Sequence, residues 1–148
     1  MKTLLALLLL IPSLSWGNKI KPITEIVKIR DMMDKTTYLY LGERCAGLYL
    51  TNYRVTEQTN TDVANLLLNK ASGLIKISKL FHNSYGIISD EEIEKIITDS
   101  AIKFGNIYSD LFEENWYENG AYFQGTFIEE DLMYCNSFMN DIKAAANQ

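Results

Sequence analysis

The chain has 148 residues, the length of one domain, with a formal net charge of −5 and a single histidine. The charge is unevenly spread. Residues 18–88 hold ten Lys and Arg against six Asp and Glu, whereas residues 89–148 hold three against thirteen. Because nucleic-acid binding needs a concentrated basic face, this balance argues against nucleic acid as the main partner.

Residues 1–17 have the three parts of a cleavable secretory signal peptide. Lys2 gives a positive start, an apolar run follows over residues 4–11, and Pro12 ends that run. Small residues then stand where a signal peptidase needs them. Cleavage is expected after Gly17, with cleavage after Ser15 as the alternative.

Export is the consequence of this interpretation, and residues 18–148 then form a single helical domain. The competing interpretation is a membrane anchor, but a spanning helix needs about 20 apolar residues and the run is much shorter. No later stretch is long and apolar enough to span either. We therefore expect a protein without a transmembrane segment, secreted or, in a bacterium with two membranes, periplasmic.

Two amphipathic helices are predicted in the first part of this domain, over residues 31–55 and 61–81. In both, apolar residues recur at the three- to four-residue spacing of one helix face. The stripe of the first helix consists of Tyr38, Leu41, Cys45, Leu48 and Val55. The face of the second consists of Val63, Leu67, Ala71, Leu74 and Phe81.

Capping boxes mark the starts of two further helices. The box at residues 89–92 starts a helix that runs to about Trp116, and the Asn119-Gly120 pair predicts its end. The box at residues 126–129 starts the fourth helix. Its apolar seam consists of Ile128, Leu132, Cys135, Met139 and Ile142.

Four amphipathic helices with short connections predict an all-α domain of the four-helix-bundle type. Three glycines, Gly47, Gly73 and Gly105, lie inside the predicted helices, where glycine lowers helix stability. We expect close approach between helices at these positions.

The two cysteines lie on apolar seams, Cys45 in the first helix and Cys135 in the fourth. Exported proteins form disulfides, and two thiols allow one intramolecular pairing. We therefore predict a structural disulfide that joins the first and fourth helices. A redox-active thiol, the competing interpretation, would need an exposed, electropositive setting or a nearby resolving cysteine.

Side chains for catalysis or metal binding are scarce. No nucleophile motif surrounds the serines near His82, which we expect to cap the end of the second helix. One histidine and two oxidised cysteines do not supply a zinc ligand set. We therefore predict no catalytic residue, no metal and no cofactor. A non-classical calcium site within residues 113–120 stays open as an alternative.

An aromatic series on the third helix is the most distinctive feature of the chain. Phe104, Tyr108, Phe112 and Trp116 are four residues apart, so the series drifts round the helix toward one edge. Core packing is expected for Phe104 and Phe112. For the residues near Trp116, core packing and a role in a recognition surface are the two competing interpretations. The predicted binding residues, which gather beside a glycine-flanked loop at residues 120–125, are Trp116, Tyr117, Tyr122 and Phe123.

These observations predict an exported, non-catalytic binding or accessory protein of the cell envelope. Partly exposed tryptophan and tyrosine are typical of protein interfaces, so the expected partner is another exported or envelope protein. A carrier that holds a small apolar or sugar ligand between its helices is one alternative. A hydrolase that uses Asp110, Glu114 and Glu118 is another, because glycosidases use paired carboxylates.

Overall fold

The computed structural model describes residues 20–83 and 88–146, so the predicted signal peptide at residues 1–17 lies outside the described residues. Within those ranges the fold is all-α, and no strand is found. The helices are α1 (Ile23–Ile29), α2 (Lys35–Thr56), α3 (Thr61–Asn83), α4 (Asp90–Asn119) and α5 (Phe127–Ala146). The four predicted helices correspond to α2–α5, which confirms the predicted all-α fold.

The short helix α1 is absent from the sequence prediction. Helices of fewer than about 12 residues are marginal on their own, so tertiary contacts decide whether they form. Here Ile23 is fully buried, and its backbone N–H donates to Asp131 on α5 at 2.7 Å. The following helix begins at Lys35 rather than at residue 31, because Asp34 caps it by accepting from the Thr36 N–H at 2.9 Å.

Side-chain and glycine caps fix both ends of α4 and the start of α5. Ser89 accepts from the Glu92 N–H at 3.3 Å, as the capping box predicts. Gly120, with φ of 69°, ends α4 by donating its N–H to the Trp116 carbonyl at 2.9 Å. The capping box predicted at residues 126–129 forms with a shift of one residue. The Glu129 carboxylate accepts from the Gly125 N–H, whereas the predicted box would have it accept from the Thr126 N–H.

Helix α2 is the centre of the domain, with twelve of its 22 residues buried. It runs antiparallel to α3, because Tyr38 near its start stacks on Phe81 near the end of α3. It crosses α4 at Gly47 and Gly105, where a Cβ added to Gly47 would come within 2.6 Å of the Ala101 carbonyl oxygen. The two backbones therefore approach closely, as predicted for these two glycines.

Gly73 does not have the close contact that the sequence predicts for it. A Cβ added there would meet Met139 Cε at 3.7 Å, an ordinary van der Waals distance. The reason is that α3 and α5 stay apart at this point, whereas α2 and α4 touch backbone to backbone.

The predicted disulfide between Cys45 and Cys135 is present and joins α2 to α5, with a Cα–Cα distance of 5.5 Å. Both cysteines are fully buried, so the bond lies in the core rather than at a reactive surface. A disulfide of this kind is compatible with an extracellular or periplasmic protein.

Replacing Gly47 with alanine is expected to lower the free energy of unfolding by about 1–3 kcal/mol, because the added methyl group forces α2 and α4 apart. Gly73→Ala is the matched control. It has room for a methyl group, and alanine is favoured over glycine in a helix by about 1 kcal/mol. Urea denaturation followed by circular dichroism measures both, and equal effects of the two substitutions would contradict the assigned crossing.

Replacing both Cys45 and Cys135 with alanine is expected to lower the free energy of unfolding by about 4–5 kcal/mol. The chain-entropy model gives about 4.6 kcal/mol for a closed loop of about 90 residues. Urea denaturation of the oxidised parent and of the double variant gives the difference. A variant as stable as the parent would show that the bond is dispensable for folding.

Candidate functional site

A fully buried ion pair joins α2 to α5. The side chains of Arg44 and Asp131 are both 0% exposed, and Nη2 lies 2.5 Å from Oδ2. Charged groups are rarely buried unless they are paired and hydrogen-bonded, because leaving water is costly for each of them. The pair therefore needs hydrogen-bond partners for its remaining donors and acceptors.

Three further groups complete the hydrogen bonds of the pair. The Tyr108 hydroxyl on α4 accepts from Arg44 Nε at 2.8 Å and donates to Asp131 Oδ2 at 2.6 Å. Arg44 Nη1 donates to the Tyr40 hydroxyl at 2.9 Å. The other carboxylate oxygen of Asp131 accepts from the Ile23 N–H. This set, the buried polar network, therefore links α1, α2, α4 and α5.

The electrostatics of the network hold it in one protonation state. Burial acts to lower the pKa of Arg44, but Tyr108, Asp131 and Tyr40 outweigh it, and the net shift is upward. Burial raises the pKa of Tyr108 well above its ordinary value, against the opposing charge of Arg44. Arg44 stays charged and Tyr108 stays protonated at neutral pH, and neither is exposed to a substrate. The network is therefore structural.

The predicted binding residues, hereafter the aromatic end, are Trp116, Tyr117, Tyr122 and Phe123, and the structure brings three of them together. The Trp116 and Tyr122 rings stack with centroids 4.8 Å apart. Tyr122 and Phe123 both pack on Phe112, at 5.9 and 5.7 Å. Tyr117 lies outside these ring contacts and is 86% exposed.

Exposure along the aromatic series follows its drift round the helix only in part, because Phe104, expected in the core, is half-buried and packs edge-on against Tyr40. Tyr108 and Phe112 are buried, whereas Trp116 is 49% exposed. Tyr108 and Phe112 therefore belong to the core, and exposure rises again toward Trp116 in the last turn of α4. Tyr122, on the loop, is 36% exposed beside it.

Hydrogen bonds hold the loop of the aromatic end in place. Asn115 Nδ2 on α4 donates to the Tyr122 carbonyl at 3.0 Å. The Thr126 hydroxyl donates to the Phe123 carbonyl at 2.7 Å. Gly120 and Gly125 supply the positive φ angles at its two ends, 69° and 76°. The loop is therefore preformed rather than ordered by a partner.

The aromatic end is acidic. The sequence has no Lys or Arg between Lys103 and Lys143, so no basic residue lies in the last turns of α4 or the first turns of α5. The carboxylates along this part of the surface are exposed. They are Glu113, Glu114, Glu118, Glu129 and Glu130.

A groove that the sequence does not predict lies between α3, α5 and the start of α2. Its volume is about 740 Å³. Tyr38 stacks on Phe81 at 5.7 Å and packs at a tilt on Phe138 at 5.9 Å, so three aromatic rings form one surface of the groove. The remaining lining residues are Met32, Ile77, Leu80, Tyr134, Ser137, Asp141 and Ile142.

The other residues singled out by the sequence lie elsewhere. Asp110, Glu114 and Glu118 are exposed on α4, and His82 is half-buried in the last turn of α3. No group of three His, Cys, Asp or Glu within residues 20–83 and 88–146 is placed to hold a metal ion. In the same ranges no helix is long and apolar enough to cross a membrane.

Comparison of the chain with protein-family models, curated proteins and solved structures gives no match.

Asp131→Asn is expected to lower the free energy of unfolding by about 3–5 kcal/mol, because it leaves the Arg44 charge buried without a counter-ion. The double substitution Arg44→Met with Asp131→Leu is expected to cost less than this single one, since it removes both charges. Urea denaturation measures each variant.

The matched control is Asp99→Asn, which breaks an exposed pair with Lys95 on the surface of α4. Exposed ion pairs contribute little, so no measurable change is expected. Equal stability of the Asp131 and Asp99 variants would contradict the role given to the buried pair.

Proposed function

We propose that this chain is an exported, non-catalytic binding protein of the cell envelope, and that its aromatic end contacts a basic surface of another exported protein. The observation that carries the proposal is the stacked pair of Trp116, half exposed near the end of α4, and Tyr122, partly exposed on the hydrogen-bonded loop. Cleavage after Gly17 and a periplasmic location in a bacterium with two membranes belong to the same proposal.

The exposure of these rings supports a contact with a protein. Trp and Tyr are enriched among the residues that dominate interface energies, because they bury a large area with few rotatable bonds. The loop that carries Tyr122 is already held by Asn115 and Thr126. A partner would therefore bind without the entropy loss of ordering it.

The acidic side chains of the aromatic end indicate that its partner surface is basic. Carboxylates near the carboxyl end of a helix oppose its dipole, and like charges four residues apart repel each other. Glu114 and Glu118 stand in this relation in the last turns of α4, and no basic residue lies in its last turn. The arrangement costs stability locally, and a cationic partner surface would offset that cost.

The proposal is tested by affinity purification of the tagged, exported protein from the envelope fraction of its host. We expect the parent to recover a basic exported protein, and Trp116→Ala with Tyr122→Ala to lower the recovery by about tenfold or more. Glu114→Lys with Glu118→Lys leaves the ring stack in place and is expected to reduce recovery most at low salt.

Ile96→Ala is the matched control, since it removes an exposed apolar side chain on the same helix about 30 Å away from Trp116. Circular dichroism verifies that every variant is folded. Recovery of the same proteins by the parent and by the Trp116 and Tyr122 variant would contradict the proposal.

A further inference from the structure

The groove between α3 and α5 has the size of a small-molecule site. Such sites have volumes of about 300–1,000 Å³ and are mostly apolar with a few polar groups. This one has about 740 Å³, three aromatic rings on one surface and aliphatic side chains around them. Leu80, on its α3 side, is 70% exposed although it is aliphatic.

The groove is fixed by its surroundings. Asn136 on α5, next in the chain to the lining residue Ser137, accepts from Lys70 Nζ at 2.7 Å and from the Tyr49 hydroxyl at 2.9 Å. The disulfide at Cys135 holds α5 on α2. Toward the groove, Tyr38 contacts Phe81 of α3 and Phe138 of α5, so its ring keeps the two helices apart. The space between them is therefore preformed.

The polar side of the groove is negative. Tyr134, Ser137 and Asp141 follow one another at three- and four-residue spacing on α5, so they share one face of that helix. Asp141 is the one charged side chain among the described lining residues. Burial, followed by the neighbouring Tyr38 and Asp141, raises the pKa of Tyr134, so its hydroxyl stays neutral.

We propose that this groove binds a small free molecule with an apolar body and a positively charged amine or quaternary ammonium end. The apolar body lies against the rings of Tyr38, Phe81 and Phe138, and the cation lies beside Asp141. A carboxylate at the edge of an apolar surface favours such a molecule, because the rings bury its apolar body and the negative charge attracts its cationic end. This site is separate from the aromatic end and does not rest on the proposed function.

The test is isothermal titration calorimetry of the whole protein with three probes of equal chain length, each kept below its micelle-forming concentration. The probes are decyltrimethylammonium, decanol and decanoate. Because Asp141 is exposed, we expect the ammonium to bind only about threefold more tightly than decanol, and decanoate to bind most weakly.

Two substitutions distinguish the contribution of the Asp141 charge from that of the apolar space. Asp141→Asn is expected to weaken binding of the ammonium about threefold and to leave binding of decanol unchanged. Ser137→Trp, at an exposed lining position, fills the groove and is expected to abolish binding of both probes. Asp110→Asn on α4 is the matched control for loss of a surface carboxylate, and Trp116→Ala separates this site from the aromatic end. Neither is expected to change binding.

Circular dichroism confirms that each variant is folded before titration. The proposal is overturned by absence of ammonium binding, by equal ammonium affinity of the parent and Asp141→Asn, or by undiminished binding to Ser137→Trp. The proposal is also overturned if the protein co-sediments with phosphatidylcholine vesicles and does not bind the free ammonium. The ligand would then be a membrane lipid.

Discussion

The buried pair of Arg44 and Asp131 is the constraint on which the rest of the structure depends. Each charge is costly to bury, and each is satisfied only where α1, α2, α4 and α5 meet in one arrangement. The disulfide lies beside it, since Cys45 follows Arg44 and Cys135 is one helical turn beyond Asp131. One ionic and one covalent link therefore fix the register of α5 on α2.

This register also places the two candidate binding surfaces. Tyr108 ties α4 into the network, and Phe112 and Trp116 follow it at four-residue spacing, so one series runs from the network to the surface. The loop to α5 is short, and its aromatic residues therefore fold back onto Phe112. At the other side, α5 is held on α2 while it stays apart from α3, which leaves the groove open.

Much of this fold follows from local patterns. The spacing of apolar residues and the capping residues predict α2–α5, and export with two cysteines predicts the disulfide. Helix α1 could not be predicted, because its seven residues are held by contacts with α5 rather than by their own propensity. The groove could not be predicted either, since it depends on the separation of two helices, which no single helix encodes.

The buried ion pair joins residues 87 positions apart, yet the sequence holds a signal of it. Arg44 stands three residues after Leu41 and four before Leu48, and Asp131 stands in the same relation to Ile128 and Cys135. Each charge therefore lies within an apolar seam, where a solvated charge is not expected. Two opposite charges in the seams of the two cysteine-bearing helices indicate a buried pair.

The remaining acidic residues need a different explanation from Asp131. Negative charge keeps a protein soluble, but for that purpose it can be spread evenly over the surface. Here the surface carboxylates are concentrated in a stretch without Lys or Arg, beside exposed aromatic rings at Trp116 and beside the groove at Asp141. Glu129 and Glu130 suit the amino end of α5, but Glu114 and Glu118 oppose the dipole of α4, so helix stability does not explain those two. The proposed attraction of cationic partners would account for both the sign of the charge and its position next to aromatic rings, which also attract cations.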